Sequence, residues 1–202
     1  MEIILRIEPG LTQIDQISNL MQVPIRDNTL LIPAFIGTGA IRYFPLPYGI
    51  KVHHYAYEIK EPVRIRSENP LEGGMYMLQI NLSNAFIDKT VGARSLRLSQ
   101  RGRAGALFYS PGFPSLGSGN LEQAYSIVII SLPVPVVEQY FALGGPAAPF
   151  CQYEELSDTA VHELQVALGA SVLDLQRQGQ LLAWIARLVE QFSKRSMEGV
   201  TS

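Results

Sequence analysis

The pattern of apolar and polar positions divides the chain into three regions. Up to about residue 34, an apolar run at 3–7 reads as a short strand that Pro9 and Gly10 end. Leu11, Ile14, Ile17, Leu20 and Met21 then recur at helical spacing, marking one short amphipathic helix that Pro24 stops. From 35 to 134 the texture changes to β-branched and aromatic runs punctuated by Gly, Pro, Asn and Ser. These predict strands near 40–45, 50–59, 62–67, 75–82, 95–99, 106–110 and 123–132. Turn residues separate them at 47–49, 68–70, 73–74, Arg101-Gly102 and Pro111-Gly112. Short strands with no helical pattern between them predict an antiparallel barrel or jelly roll. Residues 135–202 read as helical. One helix begins at Pro135 and stops at Gly144, Gly145 and Pro146. A second starts at Ser157 or Asp158 and puts Val161, Leu164 and Leu168 on one face. A third, over 178–195, carries an apolar stripe that includes Leu181, Ile185, Leu188 and Phe192, with Lys194 and Arg195 at its C-terminal end. The predicted class is mainly β with α.

Composition narrows the function classes. At 202 residues, 47% hydrophobic and 17% charged, the chain holds enough apolar material for one globular domain with a helical appendage. A formal net charge of -2 lacks the basic excess that supplies most nucleic-acid affinity, so a DNA role would need a domain outside this stretch. Cys151, the single cysteine, excludes a disulfide framework within the chain and fits a cytoplasmic location. Acidic Glu2 and a short apolar run do not make a signal peptide, and no run approaches the ~18 apolar residues of a membrane span. The one basic cluster, Arg94, Arg97, Arg101 and Arg103, alternates with Leu96 and Leu98 and reads as a solvated hairpin.

Candidate chemistry centres on His53 and His54. Metal-binding cupin barrels present H-x-H on one strand, because only positions i and i+2 share a face. Here the histidines are adjacent, so they face opposite ways; Glu58 can join His54 but makes two ligands at best. No metal and no cofactor is therefore expected. The segment 112–119 has glycines but no G-K-[ST] ending, no G-x-S-x-G elbow stands between a strand and a helix, and Cys151 has no base beside it in sequence. The strand 50–59 offers Lys51, His53, Tyr55, Tyr57 and Ile59 on one face and Val52, His54, Ala56 and Glu58 on the other. Periodicity alone does not choose the inner face. With the aromatic face inside, His53, Tyr55 and Tyr57, together with Tyr76 and Tyr109, are the candidate ligand-binding set.

The order of these segments resembles the N-terminal sensing region of AraC-type transcriptional regulators, particularly the siderophore-regulator-like branch from bacteria. The likeness lies in Gly37, Thr38 and Gly39 leading into the first barrel strand, the turn and strand from Tyr48 to Val52, and the strand at 75–82. It continues through Phe108, Tyr109, Ser110, Pro111 and Gly112, the apolar strand ending in Leu132 and Pro133, and paired helices from Ala167 to Phe192. In place of a cupin P-x-G, Pro111 and Gly112 are adjacent. The resemblance implies a cupin-like jelly-roll barrel that binds a small effector, followed by helices that make a homodimer. Leu181, Trp184, Ile185, Leu188 and Phe192 would then form the dimer contact. A helix-turn-helix domain beyond residue 202 would read DNA, and 197–202 would be the linker to it. The alternatives are a metal-dependent cupin enzyme, such as an isomerase or oxygenase, and a stand-alone metabolite-binding cupin.

Overall fold

The computed structural model describes residues 1–99, 103–118, 120–141, 149–169 and 175–198. In chain order these form β1 (Glu2–Arg6), α1 (Gln13–Met21), β2 (Ile25–Arg26), β3 (Thr29–Leu31), β4 (Gly37–Pro45), β5 (Lys51–Ile59), β6 (Arg64–Glu68) and β7 (Met75–Asn81). There follow β8 (Ile87–Val91), β9 (Arg94–Leu98), β10 (Gly105–Tyr109), β11 (Ser115–Ser118), β12 (Ala124–Pro133), α2 (Val134–Phe141), β13 (Cys151–Glu155), α3 (Asp158–Leu168) and α4 (Leu175–Glu198). The expected turn at Arg101-Gly102 and the helix stop at 144–146 lie outside the described residues. The chain is mainly β with α, as the patterning predicts.

Among the described residues the strands form two facing sheets and no closed barrel, which corrects the barrel expectation. The smaller sheet has the order β1-β6-β11-β8-β9 and the larger the order β13-β10-β7-β12-β5-β4-β3-β2. From β5 onward the chain passes repeatedly between them: β5, β7, β10 and β12 lie in the large sheet, and β6, β8, β9 and β11 in the small one. The crossings from β5 to β6, β6 to β7 and β7 to β8 run through turns or loops that interrupt the hydrogen-bonded ladder. Buried Asn69 builds one such corner, pairing with Met75 through Nδ2 to the carbonyl oxygen at 2.9 Å and the backbone N–H to Oδ1 at 3.0 Å. At the start of β4, Gly37 and Gly39 lie directly on β5. A Cβ there would stand 2.1 Å from the Glu58 carbonyl oxygen or 2.2 Å from that of Ala56, and Gly39 also has φ +115°.

Period-two alternation gives the large sheet two apolar faces. Ile41, Tyr55, Met77, Leu107 and Ile127 pack against Ile3, Leu5, Ile87 and Val91 of the small sheet. Val52, Leu78, Phe108, Val128 and Ile130 point the other way, onto α2, α3 and α4. The result is three layers, small sheet on large sheet on helices. Residues 1–34 belong to the sandwich through β1, which pairs in parallel with β6. The segment expected to be wholly helical contributes β13 as an edge strand on β10. The glycine-bearing stretch 112–119 contains β11, paired on both sides.

The predicted dimer stripe has a partner within its own chain. Leu181, Trp184, Ile185, Leu188 and Phe192 are all buried in this single copy, the Phe192 ring lying 5.4 Å from that of Phe108. Trp184 Nε1 donates to the Ala160 carbonyl of α3 at 2.9 Å. Ser157 caps α3, its side chain accepting from the Ala160 N–H at 3.2 Å. The sequence leaves this stripe two partners, a second copy or its own chain, and in the structure it packs on its own chain, covering the back face of the large sheet. Residues 197 and 198, expected as linker, continue α4, while 199–202 lie outside the described residues. Phe192→Ala should lower unfolding free energy by about 3–5 kcal/mol, the usual cost of emptying an aromatic core site. Urea denaturation independent of protein concentration checks it, because loss of an intersubunit contact would instead give a concentration-dependent midpoint.

Candidate functional site

The inner face of β5 is the one with Lys51, His53, Tyr55, Tyr57 and Ile59, since Tyr55 joins the core between the sheets and Val52 the core under the helices. Between the sheets lies a cavity of about 80 Å³. Isoleucine is its commonest wall residue, at Ile41, Ile65, Ile87 and Ile129 among others, with Ile17 and Met21 of α1 closing one side. Tyr55 and Tyr57 line it, as do four further polar residues: Ser67 from β6, Gln79 from β7, Lys89 from β8 and Ser118 from β11. Tyr55 is held in place from α1, its hydroxyl donating to Gln13 Oε1. Burial raises the pKa of both tyrosine hydroxyls above the ordinary value, so they stay neutral.

Lys89 is the unusual member. Its strand alternates Ile87, Lys89 and Val91 inward with Asp88 and Thr90 outward, which sends an ammonium into an apolar interior. Lys89 is only 5% exposed, and among the described residues it makes no hydrogen bond or ion pair. Desolvation lowers its pKa from 10.5 to about 8. Gly117 of β11 stands opposite it, where a Cβ would lie in ordinary van der Waals contact, 3.6 Å from Nζ. Gln79 and Ser67 are also buried and form no side-chain hydrogen bond among the described residues. Lys51, by contrast, satisfies its ammonium on the backbone carbonyls of Glu8 and Leu11, the former at 2.8 Å.

The other predicted site residues separate. His53 points inward but does not line the cavity; it stacks on Tyr43 with ring centroids 4.9 Å apart. Among the described residues neither of its ring nitrogens has a partner, and burial, followed by the Lys51 charge, depresses its pKa to about 3. Tyr109 also faces inward, away from the cavity, with its hydroxyl 3.3 Å from Ser115 Oγ. Tyr76 is on the opposite face, 5.8 Å from Phe108 and beneath the helices. A place for Tyr76 between the sheets is therefore corrected: Met75 and Met77 occupy the inward positions of β7, and period two sends Tyr76 out.

His54 turns outward, its Nε2 3.0 Å from Ser126 Oγ. Among the described residues no three His, Cys, Asp or Glu side chains gather into a metal-binding group. The arginines of the basic cluster are individually engaged. Arg97 pairs with Asp88 at 2.9 Å and covers the Phe86 ring, Arg103 pairs with Glu155 at 3.3 Å, and Arg94 donates to the Cys151 carbonyl at 2.8 Å. Arg101 lies outside the described residues. No helix among the described residues is long and apolar enough to cross a membrane. No protein-family model matches the chain, and no curated protein sequence matches it either.

Lys89 escaped the sequence reading, though the triplet Ile87, Lys89, Val91 at period two carried its signal: a cation in an inward slot. Two stability effects follow from the buried bases. Lys89 binds its proton less tightly when folded, so the unfolded chain holds more protons between pH 8 and 10.5 and stability rises with pH across that window. Lys89→Met should stabilise the protein at pH 7 by on the order of 3 kcal/mol, an advantage that shrinks from pH 8 to 10.5. Paired urea titrations of wild type and variant check this, with the tyrosine contributions cancelling in the difference. For His53 the window is acidic: folding excludes the proton that the unfolded chain accepts below pH 6.5, so stability falls as pH drops from 6.5 toward 3. His53→Phe should keep its Tm at pH 7 and lose less of it than wild type by pH 5, measured by calorimetry.

Proposed function

We propose that this chain is the ligand-sensing domain of a transcriptional regulator of the AraC type, a cupin-like jelly roll holding a small effector between its sheets. The cavity carries the reading. Small-molecule sites are enclosed, mostly apolar, and marked by a few polar groups that orient the ligand, and here Lys89, Gln79 and Ser67 sit in an apolar wall with no partner among the described residues. The repeated passage of the chain between facing sheets, and the helices that follow β12, support the family likeness.

Signal output has a physical route. Strands β5, β7 and β12 present Tyr55, Gln79 and Ile129 to the cavity and Val52, Leu78 and Ile130 to the helical layer. An effector that favours one arrangement of these strands biases the packing of α4 on their other side, which is the differential affinity that allostery requires. Operator contact belongs to a helix-turn-helix domain outside residues 1–202. Homodimerisation, where it occurs, uses surfaces other than the covered stripe of α4.

Ile129→Phe fills the cavity from β12 at a cost of about 1–3 kcal/mol in overpacking. In a thermal-shift screen of metabolites, compounds that raise the wild-type Tm should leave that of Ile129→Phe unmoved. A ligand at 100 times its Kd adds about 2.7 kcal/mol, well within reach of the method. Equal shifts in both proteins would place binding elsewhere and defeat the proposal.

A further inference from the structure

Resting on the reading of the cavity as an effector site, we infer that its ligand is a slender aliphatic monocarboxylic acid, with the carboxylate on Lys89 and the chain among the isoleucines. The charge argument comes first. A buried ammonium is stable only when paired or well hydrogen-bonded, and Lys89 has neither among the described residues. Among the described residues no Asp or Glu lines the cavity, so none of them offers a counter-charge there. A bound anion supplies it, and a carboxylate matches one ammonium with one charge. Phosphate esters bring more charge than the single lysine among the lining residues can balance.

The rest of the wall selects the tail. A sugar would bring several hydroxyls against Ile17, Ile41, Ile65 and Ile129, leaving most of them unbonded at a cost for each. A hydrocarbon chain loses nothing there and gains from every methylene removed from water. The open volume of about 80 Å³ is below the about 300 Å³ at which small-molecule pockets usually begin, so the occupant is narrow and displaces flexible Met21 as it enters. Gln79 and Ser67, which line the same cavity, are neutral hydrogen-bonding groups without a side-chain partner among the described residues.

The test is calorimetric titration of the full chain with octanoate and with 1-octanol, which share the tail and differ in the head. Wild type should bind octanoate about tenfold or more tightly than 1-octanol, the ratio that one charge-assisted hydrogen bond provides. Lys89→Met should abolish the preference by weakening octanoate while leaving 1-octanol within about twofold. Lys89→Gln, a polar neutral replacement, should do the same and guards against a folding defect in either variant. Failure of wild type to bind octanoate, a wild-type preference for 1-octanol, or a preference that survives both substitutions overturns the assignment. The cavity reading is judged separately with Ile129→Phe. If that variant loses 1-octanol while the head-group preference proves absent, the site stands and only its ligand class falls. If it binds both compounds as wild type does, the cavity reading falls too.

Discussion

The large sheet must be buried on both faces, and most of the architecture follows from that demand. Its β7 is buried at all seven positions and its β10 at all five, so neither strand has a solvent side. A sheet of this kind folds only with a layer on each face. The small sheet covers the front and the helices cover the back. This is why α4 carries an apolar stripe: the stripe completes the back of the sheet, and Trp184 ties α4 to α3 while doing so.

What the sequence revealed follows the strength of local signals. β5, β7, β10 and β12 are long or uniformly apolar, and period-two reading finds them within a residue or two of their ends. The helices announce themselves through Ser157 as a cap and through the stripe from Leu181 to Phe192. Of the strands not predicted, β8 does alternate, but β13 and β11 have other chemistry. β13, with the sequence Cys-Gln-Tyr-Glu-Glu, is an edge strand whose polar residues look like loop, and only its pairing with β10 makes it a strand. β11 is rich in serine and glycine, and its pairing on both sides overrides its turn composition. Sheet closure, too, is decided by contacts distant in sequence, which is why a barrel was expected where two separate sheets stand. At the candidate site, Tyr55 and Tyr57 were legible because alternation put them on one face. Tyr76 was assigned to the wrong face because the inward side of a doubly buried strand looks no different in sequence from the outward one.

The interior between the sheets also separates satisfied polar groups from unsatisfied ones. Asn81 bonds the Ala85 carbonyl at 2.7 Å, Tyr109 meets Ser115, and Lys51 holds the loop after β1. These groups stabilise the fold as ordinary buried hydrogen bonds do. Lys89 and His53 have no such partners, yet they differ in kind. His53 is sealed against Tyr43 and stays neutral, so its cost is modest near neutrality and appears in acid. Lys89 borders open space, keeps a proton near neutral pH, and lies where a ligand could reach it. An unpaired group facing a void invites a binding explanation; one packed on all sides calls for a stability explanation.

Double burial also bears on how an effector would be felt. A surface loop can close over a ligand without disturbing the core, but β5, β7 and β12 have no such freedom. Their two faces are offset by one residue: Tyr55 meets the cavity where neighbouring His54 turns to Ser126, and Gln79 does so between Leu78 and Ile80, both under the helices. Close packing transmits displacement because few voids absorb it. An occupant that parts the sheets therefore moves residues against α4 within a single peptide unit, without a chain of intermediates. A large sheet covered on only one side would lack that link, so the same burial that makes α4 part of the core also makes it the element best placed to register what lies between the sheets.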